Sequence, residues 1–143
     1  MFCQLYAEID FAKLTPGAFD SPYSIHSIPI PRTRLNVTFT TTPPLLVIGT
    51  PLSHTPGPLQ WGTVLDIQFP GDTQFVSFRY GGGAGTVEWF DDNGSGHMLP
   101  ALPAMTAAND TGQFHLASHE GIHRIKITSS GEMFLSNLAV GIA

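Results

Sequence analysis

The sequence predicts an all-β domain, an antiparallel β-sandwich or jelly roll of about nine or ten short strands. Three observations lead there. Apolar and polar residues alternate with period two in one segment after another, as at Leu65, Ile67 and Phe69 or at Ile125 and Ile127. No segment carries the 3.6-residue period of a helix. The composition, with 15 Gly and 12 Pro beside abundant Thr, Val, Ile and Phe, suits many short strands joined by turns.

Taken in order, Leu5, Ala7, Ile9 and Phe11 alternate with Glu8 and Asp10, the pattern of a strand with one wet face. Pro16, Gly17, Asp20 and Pro22 make 14–22 a loop. Tyr23 to Ile30 reads as an edge strand, because Pro29 and Pro31 withhold backbone donors. Leu35, Val37 and Phe39 form a half-buried strand, and Leu45 to Ile48 a short one buried on both faces. The segment 50–62 is rich in Pro and Gly and reads as a long loop carrying Trp61, the kind of place where function sits on compact β domains. Leu65 to Phe69 and Phe75 to Tyr80 flank Pro70-Gly71-Asp72 and are expected to form a hairpin, with Val76, Phe78 and Tyr80 facing one way.

Gly81 to Gly85 is no phosphate cradle, since β-branched and aromatic residues follow it instead of a helix N-terminus. Thr86 to Phe90 leads into the turn Asp91 to Gly96, and 100–112 is a second long loop. Phe114 to Ala117 and Ile122 to Thr128 flank a turn at 118–121 and read as a hairpin. So do Ile122 to Thr128 and Met133 to Val140 about Ser129-Ser130-Gly131.

A chain of 143 residues fits a single domain spanning 1–143 and buries roughly 68% of its unfolded surface. With a net charge of −5 and only six Lys or Arg, it offers a phosphate backbone little attraction, so nucleic acid is not an expected partner. MFCQLYAEID lacks a basic segment and a long apolar core, and no long uncharged apolar run occurs, so neither a signal peptide nor membrane insertion is expected. Cys3, the lone cysteine, makes no internal disulfide.

A sugar site on such a scaffold needs a flat aromatic face for the C–H side of a pyranose, and fixed carboxylate, amide or guanidinium groups to bridge its hydroxyls. Trp61, Tyr80 and Trp89 are the platform candidates, with Arg79, Asp91, Asp92 and Asn93 as polar partners. Trp89 is in phase with Val87 and has a competing place in the core. Asp91-Asp92-Asn93-Gly94 resembles the start of a calcium loop, but the rest of an EF-hand is missing and Asx-turn chemistry accounts for the same residues. His115, His119 and His123 recur every four residues; a hairpin folded about 119–120 would bring His115 to the level of His123, a candidate transition-metal site with His119 or Glu120 at the turn. No nucleophile elbow of the G-x-S-x-G type occurs.

From Thr86 to Val140 the order of elements is a strand, an Asp-x-Asn-Gly turn, a loop, a Phe-bearing strand, Gly-Ile-x-Arg-Ile-x-Ile, a turn, and Phe-x-x-x-Asn-Leu. With the Phe…Leu-x-Pro-Gly opening at 11–17, it resembles the galactose-binding-like jelly-roll modules of bacterial exported proteins, which look like carbohydrate-binding modules. The resemblance implies a non-catalytic module, lectin-like and extracellular, whose partner is carbohydrate. It also implies a structural calcium between an N-terminal acidic residue and the last strand, where this chain has Ser136-Asn137. Two other readings stand beside it: a small metal-dependent or acid/base enzyme using the 115/119/123 histidines, and a structural or assembly subunit forming a homo-oligomer.

Overall fold

A computed structural model describes residues 5–11, 17–20, 23–30, 33–42, 45–48, 59–61, 63–71, 73–103, 112–129 and 133–142. These residues form thirteen strands and no α-helix. The strands are β1 (Leu5–Asp10), β2 (Gly17–Asp20), β3 (Tyr23–Ile30), β4 (Thr33–Thr42), β5 (Leu45–Ile48), β6 (Leu59–Gln60), β7 (Val64–Gln68), β8 (Thr73–Gly82), β9 (Gly85–Phe90), β10 (Gly96–Met98), β11 (Gly112–Ala117), β12 (Arg124–Ser129) and β13 (Met133–Ile142).

All pairings are antiparallel. A seven-stranded sheet runs β11, β8, β13, β6, β5, β2, with β1 also paired to β13; a six-stranded sheet runs β10, β9, β12, β7, β4, β3. The two inner faces enclose one core. Ile9, Leu59, Val76, Phe78, Tyr80, Phe114, Leu135, Leu138 and Val140 come from the first sheet, and Val37, Phe39, Leu65, Ile67, Val87, Trp89, Ile125 and Ile127 from the second. The period-two pattern places these residues inside, and each large apolar side chain so buried contributes about 1.5–3 kcal/mol. Phe78 stacks on Phe114 at 4.5 Å, and Phe11 meets Phe39 edge-on at 6.0 Å.

The sandwich and the edge position of β3, which pairs only with β4, follow the sequence. The hairpins do not. β7 and β8 lie in different sheets, as do β11 and β12, and β12 and β13, so all three expected hairpins are corners at which the chain crosses from one sheet to the other. A short turn rich in Gly, Ser or Asp reverses the chain equally well within a sheet or between two, and alternation fixes only which side chains point inward. A hairpin does form between β9 and β10 across Asp91 to Ser95. The presumed loops at 14–22 and 50–62 contain β2 and β6. Their remaining residues except Trp61, residues 104–111 of the other long loop and Cys3 lie outside the described residues, as do the side chains of β5.

Candidate functional site

Side chains that point outward from the seven-stranded sheet fall into cross-strand rows set by the register. Gln113 of β11, Arg79 of β8, Asn137 of β13 and Asp10 of β1 stand side by side. The next row is His115, Ser77, Ala139 and Glu8, and the one after it contains Ala117, Phe75 and Gly141. In the middle row the two central strands supply the smallest members, Ser77 and Ala139, which point outward yet are only 7% and 5% exposed; in the flanking rows the same strands carry Arg79 and Asn137 on one side and Phe75 on the other. Gln113, His115, Arg79 and Glu8 are exposed around them. The result is a short trough floored by Ser77, Ala139 and Gly141, bounded at one end by Arg79 and Asn137 of the same central strands and at its sides by Gln113 and His115 of β11 and Glu8 of β1.

Hydrogen bonds hold this arrangement. The Gln113 amide donates to Ser77 Oγ at 2.7 Å. Between Leu135 and Asn137 the register of β13 against β8 shifts, leaving Ser136 as the extra residue of a β-bulge. The bulge interrupts the ladder, and the Arg79 backbone N–H donates to Asn137 Oδ1 at 3.0 Å instead. Because a backbone N–H can only donate, the amide oxygen must face Arg79, and the Asn137 amino group is left to donate to Glu8 Oε1 at 3.4 Å. Phe75 and the His115 ring lie 6.3 Å apart and tilted by 34°, forming a ring-lined end to the trough. The Arg79 guanidinium has no hydrogen bond or ion pair among the described residues.

The same bonds bear on the calcium expected at Ser136-Asn137. Asn137 presents its amino group to Glu8 and one lone pair of its oxygen to the Arg79 N–H; the oxygen donors near the first and last strands are the second lone pair of that oxygen, the buried Ser136 Oγ and the Glu8 and Asp10 carboxylates.

The outer face of the six-stranded sheet is different. Arg124 lies over the Phe90 ring with its guanidinium carbon 4.1 Å from the centroid, and its NH1 is 3.5 Å from Asp66 Oδ2. Asp66 Oδ1 and Arg124 Nε are buried without partners. Burial pushes the Asp66 carboxyl above the usual carboxylate range, against the opposing pull of Arg124, Lys126 and His123. Near one end of this sheet a hollow of about 280 Å³ is lined by Ala84, Gly85, Thr86, Ala101, Thr128 and Ser129, without an aromatic or a charged group.

The sequence-derived candidates divide between several places. Arg79 is in the trough. Tyr80, 4% exposed, points the opposite way into the core, its hydroxyl pushed up by burial and its ring lying against Gly112. Trp89, 8% exposed, lines the core and is stacked on His97 at 4.2 Å, so neither ring offers a free face to a sugar. Trp61 is half-buried against the core with its Nε1 unpartnered.

Asp91, Asp92 and Asn93 belong to the β9–β10 turn. Asp91 Oδ1 accepts from the Asn93 and Ser95 N–H groups at 2.9 and 3.0 Å, the Asx-turn use of such residues. His97 Nε2 lies 3.0 Å from Asp91 Oδ2, and this bond together with the two backbone donors holds the Asp91 carboxyl below its usual range despite burial. The Asp92 carboxylate packs on Gly121, whose φ of +87° and lack of a side chain are both required there.

His115, His119 and His123 do not gather. His115 stands on β11 in the seven-stranded sheet, His119 is exposed at the corner, and His123 enters the six-stranded sheet by donating its N–H to the Phe90 carbonyl. Among the described residues, the one group of three or more potential ligands within reach of each other is Asp91, His97 and Glu120. Sequence reasoning passed over His97 and the trough floor. The first was detectable as a His just beyond an Asp-initiated turn, whereas Ser77 and Ala139 carry no motif.

No protein-family model matches the chain, and no curated protein sequence aligns with it. Solved structures of similar fold include a single-residue variant of the family 29 module CBM29-2 complexed with mannohexaose, with a TM-score of 0.49 at 8% identity over 90% of this chain and 93% of that one. A family 29 carbohydrate-binding module from Piromyces equi gives 0.46 at 8% identity, covering 96% and 91% of the two chains. Overlap at this level does not assign a ligand.

Proposed function

We propose that the chain is a non-catalytic carbohydrate-binding module, and that it takes its glycan in the trough on the outer face of the seven-stranded sheet. The observation that carries this reading is the pairing of a small-residue floor with walls of the right chemistry. Phe75 and His115 supply ring faces for the apolar side of a sugar. Arg79, Gln113 and Glu8 supply a planar donor, an amide and a carboxylate at fixed spacing for adjacent hydroxyls.

Binding without turnover fits the placement of the carboxylates. Glycosidase carboxylates flank the scissile bond from opposite sides. Glu8 and Asp10 stand on one strand, and the facing wall on β11 carries Gln113 and His115 with no carboxylate. The reading extends to a module of an exported protein that meets extracellular polysaccharide.

The test is a glycan array followed by calorimetry on whichever oligosaccharide binds, with mannohexaose and cellulohexaose among the probes. Arg79→Ala and Phe75→Ala should each weaken binding by about tenfold, the effect of removing one good contact. Absence of binding across the array, or binding indifferent to both changes, would overturn the proposal.

A further inference from the structure

We propose that Asp91, His97 and Glu120 form a binding site for a divalent transition-metal ion of the zinc class, bracing the β9–β10 turn against the corner between β11 and β12. The proposal is independent of the carbohydrate reading, because none of the three residues stands in the trough rows.

One ligand atom from each residue can be chosen so that all lie within 4.8 Å of one another. Asp91 Oδ2 and His97 Nε2 are 3.0 Å apart. Two ligand atoms each about 2.1 Å from a shared tetrahedral zinc ion stand about 3.4 Å apart, so an ion can replace the hydrogen bond between them with a movement of about half an ångström. Glu120 is exposed at the corner, and its carboxylate, already within 4.8 Å of the other two ligand atoms, completes a triad of one imidazole and two carboxylates.

Two further observations show that the inner pair is held in place before any ion arrives. The His97 ring lies on Trp89, 4.2 Å between centroids and 18° from parallel, which fixes the direction of Nε2. Asp91 is 3% exposed and its Oδ1 is committed to two backbone N–H groups, so Oδ2 alone is presented to His97. With a neutral imidazole the triad carries two negative charges, which a dication would balance. Imidazole in the set favours zinc and its neighbours over calcium and magnesium, which take oxygen. The ion would also join the two sheets at this end, since the 118–123 corner arrives from β11 of one sheet and leaves into β12 of the other.

The experiment is equilibrium dialysis of the untagged, chelator-stripped chain against zinc, read by elemental analysis, with thermal unfolding in parallel. Wild type should retain one zinc per chain and gain about 5 °C in Tm. Glu120→Gln should weaken retention by about tenfold or more, and His97→Phe, which keeps a ring on Trp89, should abolish it. His123→Ala, outside both the triad and the trough, should retain zinc as wild type does. Should His97→Phe fail to fold, the exposed Glu120→Gln decides. The proposal is overturned if wild type holds no zinc, if Glu120→Gln holds it as tightly as wild type, or if calcium raises Tm as much as zinc does.

Discussion

The outer faces of the two sheets are made from the same alternation of residues, yet the seven-stranded sheet leaves a patch of small side chains in the middle of its outer face and the six-stranded sheet fills its own. On β8 and β13 the outward positions Ser77, Ala139 and Gly141 are small, with Arg79 and Asn137 of the same strands at one end and Gln113, His115 and Glu8 on the flanking strands. On β12, β9 and β7 the outward positions carry Arg124, Lys126, Phe90, Glu88, Asp66 and Gln68, and the longest of them spend their chemistry on each other. A sheet face gains room for a ligand where neighbouring positions on its central strands give up side-chain volume and the positions around them keep theirs. An ion pair lying across an aromatic ring does the opposite and closes the face.

Filling the trough gives the largest expected effect. Ala139→Arg sets a long side chain on the floor and should reduce glycan affinity by about a hundredfold or more, roughly 2.7 kcal/mol, while Tm stays within a few degrees of wild type. Calorimetry and a melting curve on the same preparation check both halves; unchanged affinity would erase the distinction between the faces.

Next in size is the reciprocal change. Arg124→Ala uncovers Phe90 and strips Asp66 of its partner, and should lower stability by about 1 kcal/mol in urea unfolding with glycan affinity unchanged within twofold. A loss of affinity from Arg124→Ala would move the receptor to the other sheet.

The smallest effects concern two carboxylates shifted in opposite directions. The Asp91 carboxyl is held low in the folded state, so its contribution is fully present above the unfolded value of about 3.9 and is lost as pH falls through the lower folded value. Asp91→Asn should flatten the acid limb of the stability–pH curve. The Asp66 carboxyl is held high, so its ionisation opposes folding above the raised value, and this burden is relieved as pH falls through it. Asp66→Asn should therefore remove a gain in stability that wild type shows on mild acidification. Urea melts across the acid range read both slopes, and a steeper acid limb in Asp91→Asn would contradict the hydrogen-bond assignment.

Alternation in the sequence identified the core at Val37 and Phe39, Leu65 and Ile67, Val76 and Phe78, and Ile125 and Ile127, all of them buried. It also placed Tyr80 in phase with Val76 and Phe78, and Trp89 in phase with Val87, which is where their burial comes from. What alternation does not encode is the identity of each strand's neighbour. The three corners read as hairpins because a reversal has the same turn chemistry whether it closes a ladder or crosses between sheets. Arg79 was recognisable as a polar outward residue, but Ala139 and Glu8 become its neighbours only through pairings between distant parts of the chain. The His115, His119 and His123 spacing had no sheet to fold into, since its first and last members belong to different sheets.

The central claim is that glycan lies between β11 and β1 across β8 and β13. Amide chemical-shift mapping with the tightest-binding oligosaccharide from the array tests it most directly. Shifts concentrated at 75–79, 113–117 and 137–141 are the expected result; shifts confined to the Phe90, Arg124 and Asp66 face, or to the Asp91 turn, would contradict it.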